Sequence, residues 1–163
     1  VDAAHLTGAE EPQFNATVTA WFAAPRDPVG RPLLVLDGDG TGPVNHLAVT
    51  SSVAPGLAPE GQALVAASGV NATADDPDAF VDAARRQLQR WFGPAVEGWR
   101  HLRTHHIPRA LPRQAPAGPE SPTFTRREDG LFIAGDLQSY GAIQGALRSG
   151  RDVATALTRE RAG

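Results

Sequence analysis

Residues 130–154 read Gly-Leu-Phe-Ile-Ala-Gly-Asp-Leu-Gln-Ser-Tyr-Gly-Ala-Ile-Gln-Gly-Ala-Leu-Arg-Ser-Gly-Arg-Asp-Val-Ala. The apolar run that ends in Gly-Asp predicts a short buried strand over residues 130–136. The apolar residues that follow, spaced three and four apart, predict a helix from Gly141 to about Arg159. Small residues also line one side of that helix and allow another backbone to approach it closely: Gly141, Gly145 and Ser149. The stretch therefore predicts a strand, a turn and a helix in succession.

The turn between this strand and this helix has a direct chemical use. The N–H groups of a first helical turn have no intrahelical partner and lie at the positive end of the helix dipole, so they hold anionic or polar ligand groups. Glycine at position 141 lacks the Cβ that would keep a ligand away. The carboxylate of Asp136 can accept hydrogen bonds from the hydroxyls of a sugar or polyol. A structural crossover without any ligand has the same pattern, so the pattern alone leaves both interpretations open.

The sequence of residues 130–154 closely resembles the C-terminal FAD-binding motif of flavin amine oxidases, protoporphyrinogen oxidases and phytoene desaturases. Two further segments are similar to the desaturase-like branch of that family. Residues 45–65 resemble a hairpin of its substrate domain, and residues 107–112 resemble its Ile-Pro-x-Ala-Leu-Pro segment. Together these segments extend the resemblance over most of the chain from about Phe14 onward.

The resemblance implies FAD as cofactor, oxidation of a C-C or C-N bond, and a small hydrophobic substrate held between a sheet and the flavin. It places Gly135 and Asp136 along the ribityl and pyrophosphate region of FAD. It implies that the start of the helix points at the pyrimidine edge of the flavin, with Gly141, Ala142 and Ile143 beside it. Tyr140 precedes the helix, and its ring either packs within the protein or contacts the cofactor. It also implies that part of the proline-containing segment lines the reaction face: Pro108, Ala110 and Leu111.

One part of the family pattern is missing. No Gly-x-Gly-x-x-Gly fingerprint followed by a helix is present, and the similar string at residues 38–42 is followed by Pro43 and a strand, which indicates an ordinary turn. We therefore expect the chain to be the C-terminal part of a flavoprotein whose N-terminal half is a required partner. By itself the chain should bind FAD weakly or not at all and be inactive.

The fold class that the patterns predict is α+β. Period-2 alternation and apolar runs predict strands over residues 14–24, 33–36, 46–50, 62–69 and 99–107, the second and third forming a hairpin. A helix should begin at Asp75-Asp76-Pro77 and end at Gly93-Pro94, with an apolar stripe along it: Phe80, Ala84, Leu88 and Trp91. Residues 108–122 should be extended or looped. We assign residues 1–122 to a mostly antiparallel substrate-binding domain and residues 123–163 to the last strand and helix of a Rossmann-like FAD-binding domain.

Composition excludes several classes of protein. A net charge of −3 and 41% hydrophobic residues in 163 positions are typical neither of a disordered tail nor of a basic nucleic-acid-binding protein. The absence of cysteine excludes disulfides and thiol catalysis. No apolar run is long enough for a membrane span. We therefore expect a soluble, cytoplasmic protein that does not bind nucleic acid and has no transmembrane segment.

Three histidines lie close together in the sequence, at positions 101, 105 and 106. On a regular strand His101, Arg103 and His105 would share one face. Because the cationic Arg103 between the two imidazoles disfavours a divalent ion, we predict no metal site here.

A second function of a different class remains open. The chain could be a non-catalytic module that binds a hydrophobic ligand or partner through the face of its sheet. In either case its last strand and helix should expose apolar surface when the partner is absent, and the chain could then form a homo-oligomer.

Overall fold

The computed structural model describes residues 13–70, 77–114 and 123–162. They form two compact units, one of residues 16–108 and the other of the described parts of residues 1–15 and 109–163. The fold is α+β with a mostly antiparallel sheet and few helices, as the sequence predicts.

The larger unit is built on a five-stranded sheet of order β2-β3-β4-β1-β5. The pairs β2/β3, β3/β4 and β1/β4 are antiparallel, so the predicted hairpin of β2 and β3 is confirmed. The strands have the following bounds: β1 Phe14–Ala24, β2 Leu34–Leu36, β3 His46–Val49, β4 Ala63–Val70 and β5 Arg100–Pro112.

The hydrophobic core lies between one face of this sheet and helix α2, Pro77–Phe92. Alternate residues of β1 are buried: Val18, Ala20, Phe22 and Ala24. From the helix, the predicted apolar stripe supplies the opposite side of the core, with Trp91 packed at its margin. Gly93, at a φ of +67°, follows the last residue of α2, where a helix stop is expected.

Two boundaries differ from the sequence prediction. After β3 the chain forms helix α1, Thr50–Val53, and a 3-10 turn, Pro55–Leu57, instead of continuing the strand to Thr50 and then looping. The hydroxyls of Thr50 and Ser51 bond the backbone of Leu64, and such side-chain bonds compete with a strand ladder. Strand β5 also runs on to Pro112, which is possible because an edge strand tolerates proline.

The glycine-rich string at residues 38–42 is a turn, as predicted, and it is held by a buried side chain that the periodicity did not reveal. Gln87 of α2 is fully buried. Its Oε1 accepts the N–H of Val44 at 2.8 Å, while its Nε2 donates to the Val44 carbonyl at 2.8 Å and to Asp37 Oδ2 at 3.1 Å. A Cβ on Gly42 would overlap this amide, so glycine at 42 makes the close approach possible.

A second polar anchor is Asp27, in the loop after β1. Its Oδ1 accepts the N–H groups of Val29 and Gly30 at 2.7 and 2.9 Å, and its Oδ2 accepts the hydroxyl of Ser52 in α1 at 2.5 Å. Partial burial raises the pKa of Asp27, but the bonds from Ser52, Gly30 and Val29 outweigh it and hold the pKa below its ordinary value.

We expect stability to depend on pH through this carboxylate. A group whose pKa is lowered by folding stabilises the folded state above its unfolded pKa of about 3.9, and that contribution is lost as pH falls through the lower folded pKa. Asp27→Asn should therefore destabilise the protein by about 1 kcal/mol at pH 7 and flatten the acid limb of the stability curve. Urea unfolding between pH 7 and pH 3 measures both effects. Asp82→Asn, on the exposed side of α2, is the control; an unchanged acid limb in Asp27→Asn would contradict the assignment.

The smaller unit contains strands β6, Thr125–Arg126, and β7, Phe132–Ile133, paired antiparallel, and helix α3, Ile143–Ala162. The predicted strand over residues 130–136 is thus too long, because Gly130 and Gly135 adopt φ values of +83° and +140° on either side of β7. A 3-10 turn over Asp136–Gln138 follows. The helix is confirmed over residues 143–157 but begins two residues later than Gly141, at Ile143.

No helix within residues 13–70, 77–114 and 123–162 is both long and apolar enough to cross a membrane.

Candidate functional site

The turn between β7 and α3 is shaped by Gly135. Its φ of +140° favours glycine, and no heavy atom lies within 4 Å of the place where a Cβ would stand. The Gly135 N–H donates to the hydroxyl of Ser149 in α3 at 2.9 Å. This bond fixes the end of the strand against the helix while the side of Gly135 that a Cβ would occupy stays open.

The Asp136 carboxylate is half-exposed beside this open space. Its Oδ1 accepts the N–H of Leu137 at 3.0 Å. Its Oδ2 has no hydrogen-bond partner in the described ranges. One oxygen therefore orients the carboxylate and the other is available to a hydroxyl of a ligand.

The residues between the turn and the helix are held by a side chain from the end of the proline-containing segment. The Gln114 amide donates to the Ser139 carbonyl at 3.1 Å and accepts the N–H of Gly141 at 3.1 Å. The N–H of Ala142 donates to the Tyr140 carbonyl at 2.7 Å. The side chains of Tyr140 and Ile143 are 45% and 79% exposed, so neither belongs to a core among the described residues.

The small-residue stripe of α3 packs within this unit. A Cβ on Gly145 would overlap the carbonyl oxygen of Tyr140, and its other near neighbours, the Tyr140 C and N atoms, also belong to backbone. Gly145 and Ser149 are buried, which explains why small residues recur every four positions on this side of the helix. The predicted close backbone approach is confirmed, and the approaching backbone is that of the preceding turn.

Two of the three candidates for lining a reaction face lie in this unit. A Cβ built on Gly141 would meet Leu111 Cδ2 at 3.8 Å and Pro112 Cδ at 3.7 Å, so the structure brings Leu111 next to Gly141. Leu111 is 48% exposed and Ala110 is half-buried. Pro108 is exposed and belongs to the larger unit.

Sequence reasoning missed Gln114. It lies in a proline-rich stretch without periodicity, and a single amide there gives no signal. Only the tertiary structure shows that its side-chain amide bonds two backbone groups of the segment before α3, the carbonyl of Ser139 and the N–H of Gly141.

The described part of the smaller unit has no hydrophobic core of its own, since every buried hydrophobic residue of the core lies between residues 18 and 99. Six of its large apolar side chains are instead exposed: Leu131, Leu137, Tyr140, Ile143, Leu147 and Leu157. Ile143 and Leu147 follow each other at helical spacing on one face of α3, with 79% and 69% exposure. This surface agrees with the expectation that the last strand and helix expose apolar area.

In the larger unit, the sheet face opposite the core is mixed in character, with Leu34 and Leu36 exposed at its edge and Ala66 and Ser68 buried in its middle. Cross-strand partners share a face, so β2, β3, β4 and β1 contribute two rows to it, Leu34-Ala48-Ala66-Trp21 and Leu36-His46-Ser68-Thr19. We call this surface the open face. The first row is apolar. The second row is polar apart from Leu36, and its Thr19 and Ser68 hydroxyls are 2.8 Å apart.

The histidines of β5 do not share a face, so that expectation is wrong. The His101 ring lies 5.6 Å from the core ring of Phe22, and its Nε2 bonds the hydroxyl of Thr104 at 2.9 Å. His105 instead accepts the indole N–H of Trp21, on the open face, at 3.0 Å. On a regular strand, residues three apart point to opposite faces. The bond between His101 and Thr104 therefore shows that β5 is irregular between these two residues.

A model of the family described as flavin containing amine oxidoreductase matches residues 7–158. The chain belongs to this family. The match confirms the resemblance to the flavin amine oxidase superfamily. Assignment of the chain to the desaturase-like branch stays a prediction.

The chain is also similar to the crystal structure of an oxidoreductase from Methanosarcina mazei, with a TM-score of 0.52 and 18% sequence identity. The similarity covers 64% of this chain and 25% of that one. The chain thus spans about a quarter of the length of the solved structure. At 18% identity the similarity shows a shared fold. No curated protein matches the chain by sequence.

The residues of the turn fit the flavin cofactor that the flavin-containing amine oxidoreductase family carries. Gly135 leaves open the space that a Cβ would fill, and Asp136 offers an unused carboxylate oxygen beside it. A carboxylate oxygen that can accept a hydrogen bond suits the hydroxyls of a ribityl chain. The N–H groups at the start of the helix were expected to be available to a ligand, but the N–H of Gly141 already donates to Gln114.

Proposed function

We propose that this chain is the C-terminal part of an FAD-dependent oxidoreductase that oxidises a C-C or C-N bond of a small, hydrophobic substrate. The observation that carries the proposal is the turn between β7 and α3, which the bond from the Gly135 N–H to the Ser149 hydroxyl fixes against the helix. The chain in which it occurs belongs to the flavin-containing amine oxidoreductase family. Bound FAD would accept the hydride in that reaction. The finer assignment, to the desaturase-like branch, belongs to the same proposal and is supported by residues 45–65 and 107–112.

In this proposal Gly135 and Asp136 bind the ribityl and pyrophosphate region. The positive φ at Gly135 turns the backbone, and Asp136 Oδ2 accepts a ribityl hydroxyl. Tyr140, Gly141, Ala142 and Ile143 lie at the pyrimidine edge. There the dipole of the 20-residue helix α3 would stabilise negative charge on the cofactor.

The same proposal gives the substrate an apolar environment. Leu111 and Ala110 line the approach to Gly141, and Pro108 continues that segment. Exclusion of water from these side chains favours a hydrophobic substrate.

We further propose that the N-terminal half of the flavoprotein completes the smaller unit into a Rossmann-like FAD-binding domain. The support is energetic. A unit whose apolar side chains remain exposed gains little from the hydrophobic effect by itself, at roughly 25 cal/mol per Å² buried. Covering Ile143 and Leu147 would supply that missing contribution.

Asp136→Ala in the full-length protein tests the cofactor assignment. Removal of one charged acceptor should weaken FAD binding by about ten- to hundredfold, because a hydrogen bond to a charged group contributes about 1.5–3 kcal/mol. The fold should survive, since the Asp136 side chain bonds only the adjacent N–H of Leu137 within the described chain, and its backbone bond to Ser139 does not depend on the carboxylate. Asp82→Ala is the matched control, and Gly141→Val should lower FAD affinity further by filling the space near Leu111. FAD titration followed by flavin fluorescence measures all four proteins, and equal affinity throughout would refute the assignment.

A further inference from the structure

Gln114 makes a two-point contact with the backbone that precedes α3. Its Nε2 donates to the Ser139 carbonyl and its Oε1 accepts the N–H of Gly141, each at 3.1 Å. These two backbone groups lie on either side of Tyr140. A single hydrogen bond fixes mainly a distance, whereas two bonds to one planar amide also fix an orientation. Gln114 therefore restrains both the position and the rotation of residues 139–141.

The backbone of residues 139–141 accepts or donates no other side-chain hydrogen bond within the described parts of the chain. Its remaining hydrogen bonds are local. The Ser139 N–H donates to the Asp136 carbonyl at 3.2 Å, and the Tyr140 carbonyl accepts the N–H of Ala142 at 2.7 Å. Local bonds shape the segment but do not join it to another element, so its hydrogen-bonded connection to the end of β5 depends on Gln114.

The end of β5 is itself anchored at the residue before Gln114. The N–H of Arg113 donates to the Gln13 carbonyl at 2.8 Å, and its guanidinium donates to Gln13 Oε1 at 3.3 Å. Pro112 is buried, and its Cδ lies 3.7 Å from the place where a Cβ on Gly141 would stand. Gln114 thus connects the segment before α3 to a backbone position that is held by separate bonds.

The backbone that Gln114 restrains leads directly into the first turn of α3. The N–H groups of residues 143–145 have no hydrogen-bond partner in the described ranges, as is usual for a first helical turn. In the proposed function this end of the helix lies at the pyrimidine edge of the flavin. Ile143 is two residues from Gly141, at most about 7 Å along the chain. A displacement of Gly141 therefore changes where these N–H groups point.

We infer that Gln114 is a positioning residue of the cofactor site, which acts by holding the start of α3 against the segment that contains Leu111. It acts through backbone groups and needs no contact with the cofactor. The inference rests on the proposed function and adds a physical connection between its two parts. A substrate that displaced residues 110–112 would move the residues beside the flavin through Gln114.

Gln114→Ala in the full-length protein tests the inference by removing both bonds. We expect FAD to bind about three- to tenfold more weakly, the scale of one net hydrogen bond. In the absence of FAD, the amides of residues 139–145 should exchange hydrogen faster than in the wild-type protein. FAD titration followed by flavin fluorescence and hydrogen exchange followed by mass spectrometry measure the two effects. Gln89→Ala, the same substitution at an exposed glutamine of α2, should change neither.

Gln114→Glu distinguishes positioning from a general loss of stability. A neutral carboxyl group has a donor and an acceptor and can replace both bonds of the amide, whereas an ionised carboxylate only accepts. Relative to wild type at the same pH, FAD should bind about tenfold more weakly at pH 8. The affinity should recover as pH falls toward the ordinary carboxyl pKa of about 4.3. Gln144→Glu, at an exposed position in the first turn of α3, adds the same charge without these bonds and should show a smaller loss.

Three results would each overturn the inference. They are wild-type FAD affinity in Gln114→Ala, a loss in Gln114→Glu that does not change with pH, and an equal pH-dependent loss in Gln144→Glu. Each leaves the proposed function standing, because the wild-type protein still binds FAD. A full-length wild-type protein that binds no FAD would instead refute the proposed function, and the inference with it.

Discussion

Gln87→Ala is expected to destabilise the larger unit by about 2–4 kcal/mol, since it leaves the N–H and carbonyl of buried Val44 without partners and each unsatisfied group costs about 1–3 kcal/mol. The substitution also removes the donor to Asp37 Oδ2, which connects the loop after β2 to α2. No other side chain among the described residues bonds the backbone of Val44. The turn at residues 38–44 should therefore separate from the helix.

Urea unfolding followed by tryptophan fluorescence measures this loss, because Trp99 is buried in the core and Trp91 of α2 packs against it. Gln89→Ala provides a matched control: the same substitution, two positions along the same helix, at an exposed side chain. It should change stability by less than about 0.5 kcal/mol. Similar free energies of unfolding for the two variants would show that the buried amide does not hold the loop.

Gly145→Ala and Gly150→Ala should change the stability of the smaller unit in opposite directions. A Cβ at 145 would overlap the Tyr140 carbonyl, and backbone cannot move aside as a flexible side chain does. The helix would have to shift away from the turn, at a cost of about 1–3 kcal/mol typical of overpacking. At Gly150 a Cβ meets nothing within 4 Å, so alanine should stabilise the helix by about 0.5–1 kcal/mol.

Hydrogen exchange of the backbone amides distinguishes the two glycine variants. In Gly145→Ala the N–H groups of Gly135 and Gly141 should exchange faster, because their bonds to Ser149 and Gln114 depend on the position of the helix relative to the turn. In Gly150→Ala they should exchange at the wild-type rate or more slowly. If protection were equal in both variants, the close approach at Gly145 would not determine the geometry of the turn.

The strands and helices were predictable where one face of an element is buried. β1 and α2 have clear periodicity because alternate residues of the strand, and residues three and four apart on the helix, meet the same core. Residues 143–157 were predictable for the same local reason, although much of their apolar face is exposed within the described chain. β7 was overestimated, because an apolar run does not reveal how short its partner β6 is.

The candidate site was predictable only in part. The Gly-Asp turn and the glycine before the helix are local patterns, so the sequence indicated them and the family resemblance implied their ligand. The contacts of Gln114 and Gln87 were not predictable, since a polar side chain far along the chain finds its partners only after the elements pack. The histidines of β5 were placed wrongly because an irregularity in a strand leaves no mark in its alternation.

By itself, the sequence determined the α+β fold class and the order of most elements, because these depend on periodicity and on local turn chemistry. Family membership came instead from the similarity of its motifs to those of known flavoproteins. Tertiary structure decided which groups remain available to a ligand. It assigned the N–H of Gly141 to Gln114, bonded His105 to Trp21 and, among the described residues, left Asp136 Oδ2 without a hydrogen-bond partner. The physical reason is that a hydrogen bond or an ion pair joins atoms that are close in space, and residues far apart in sequence become close only when the sheet and helices have packed.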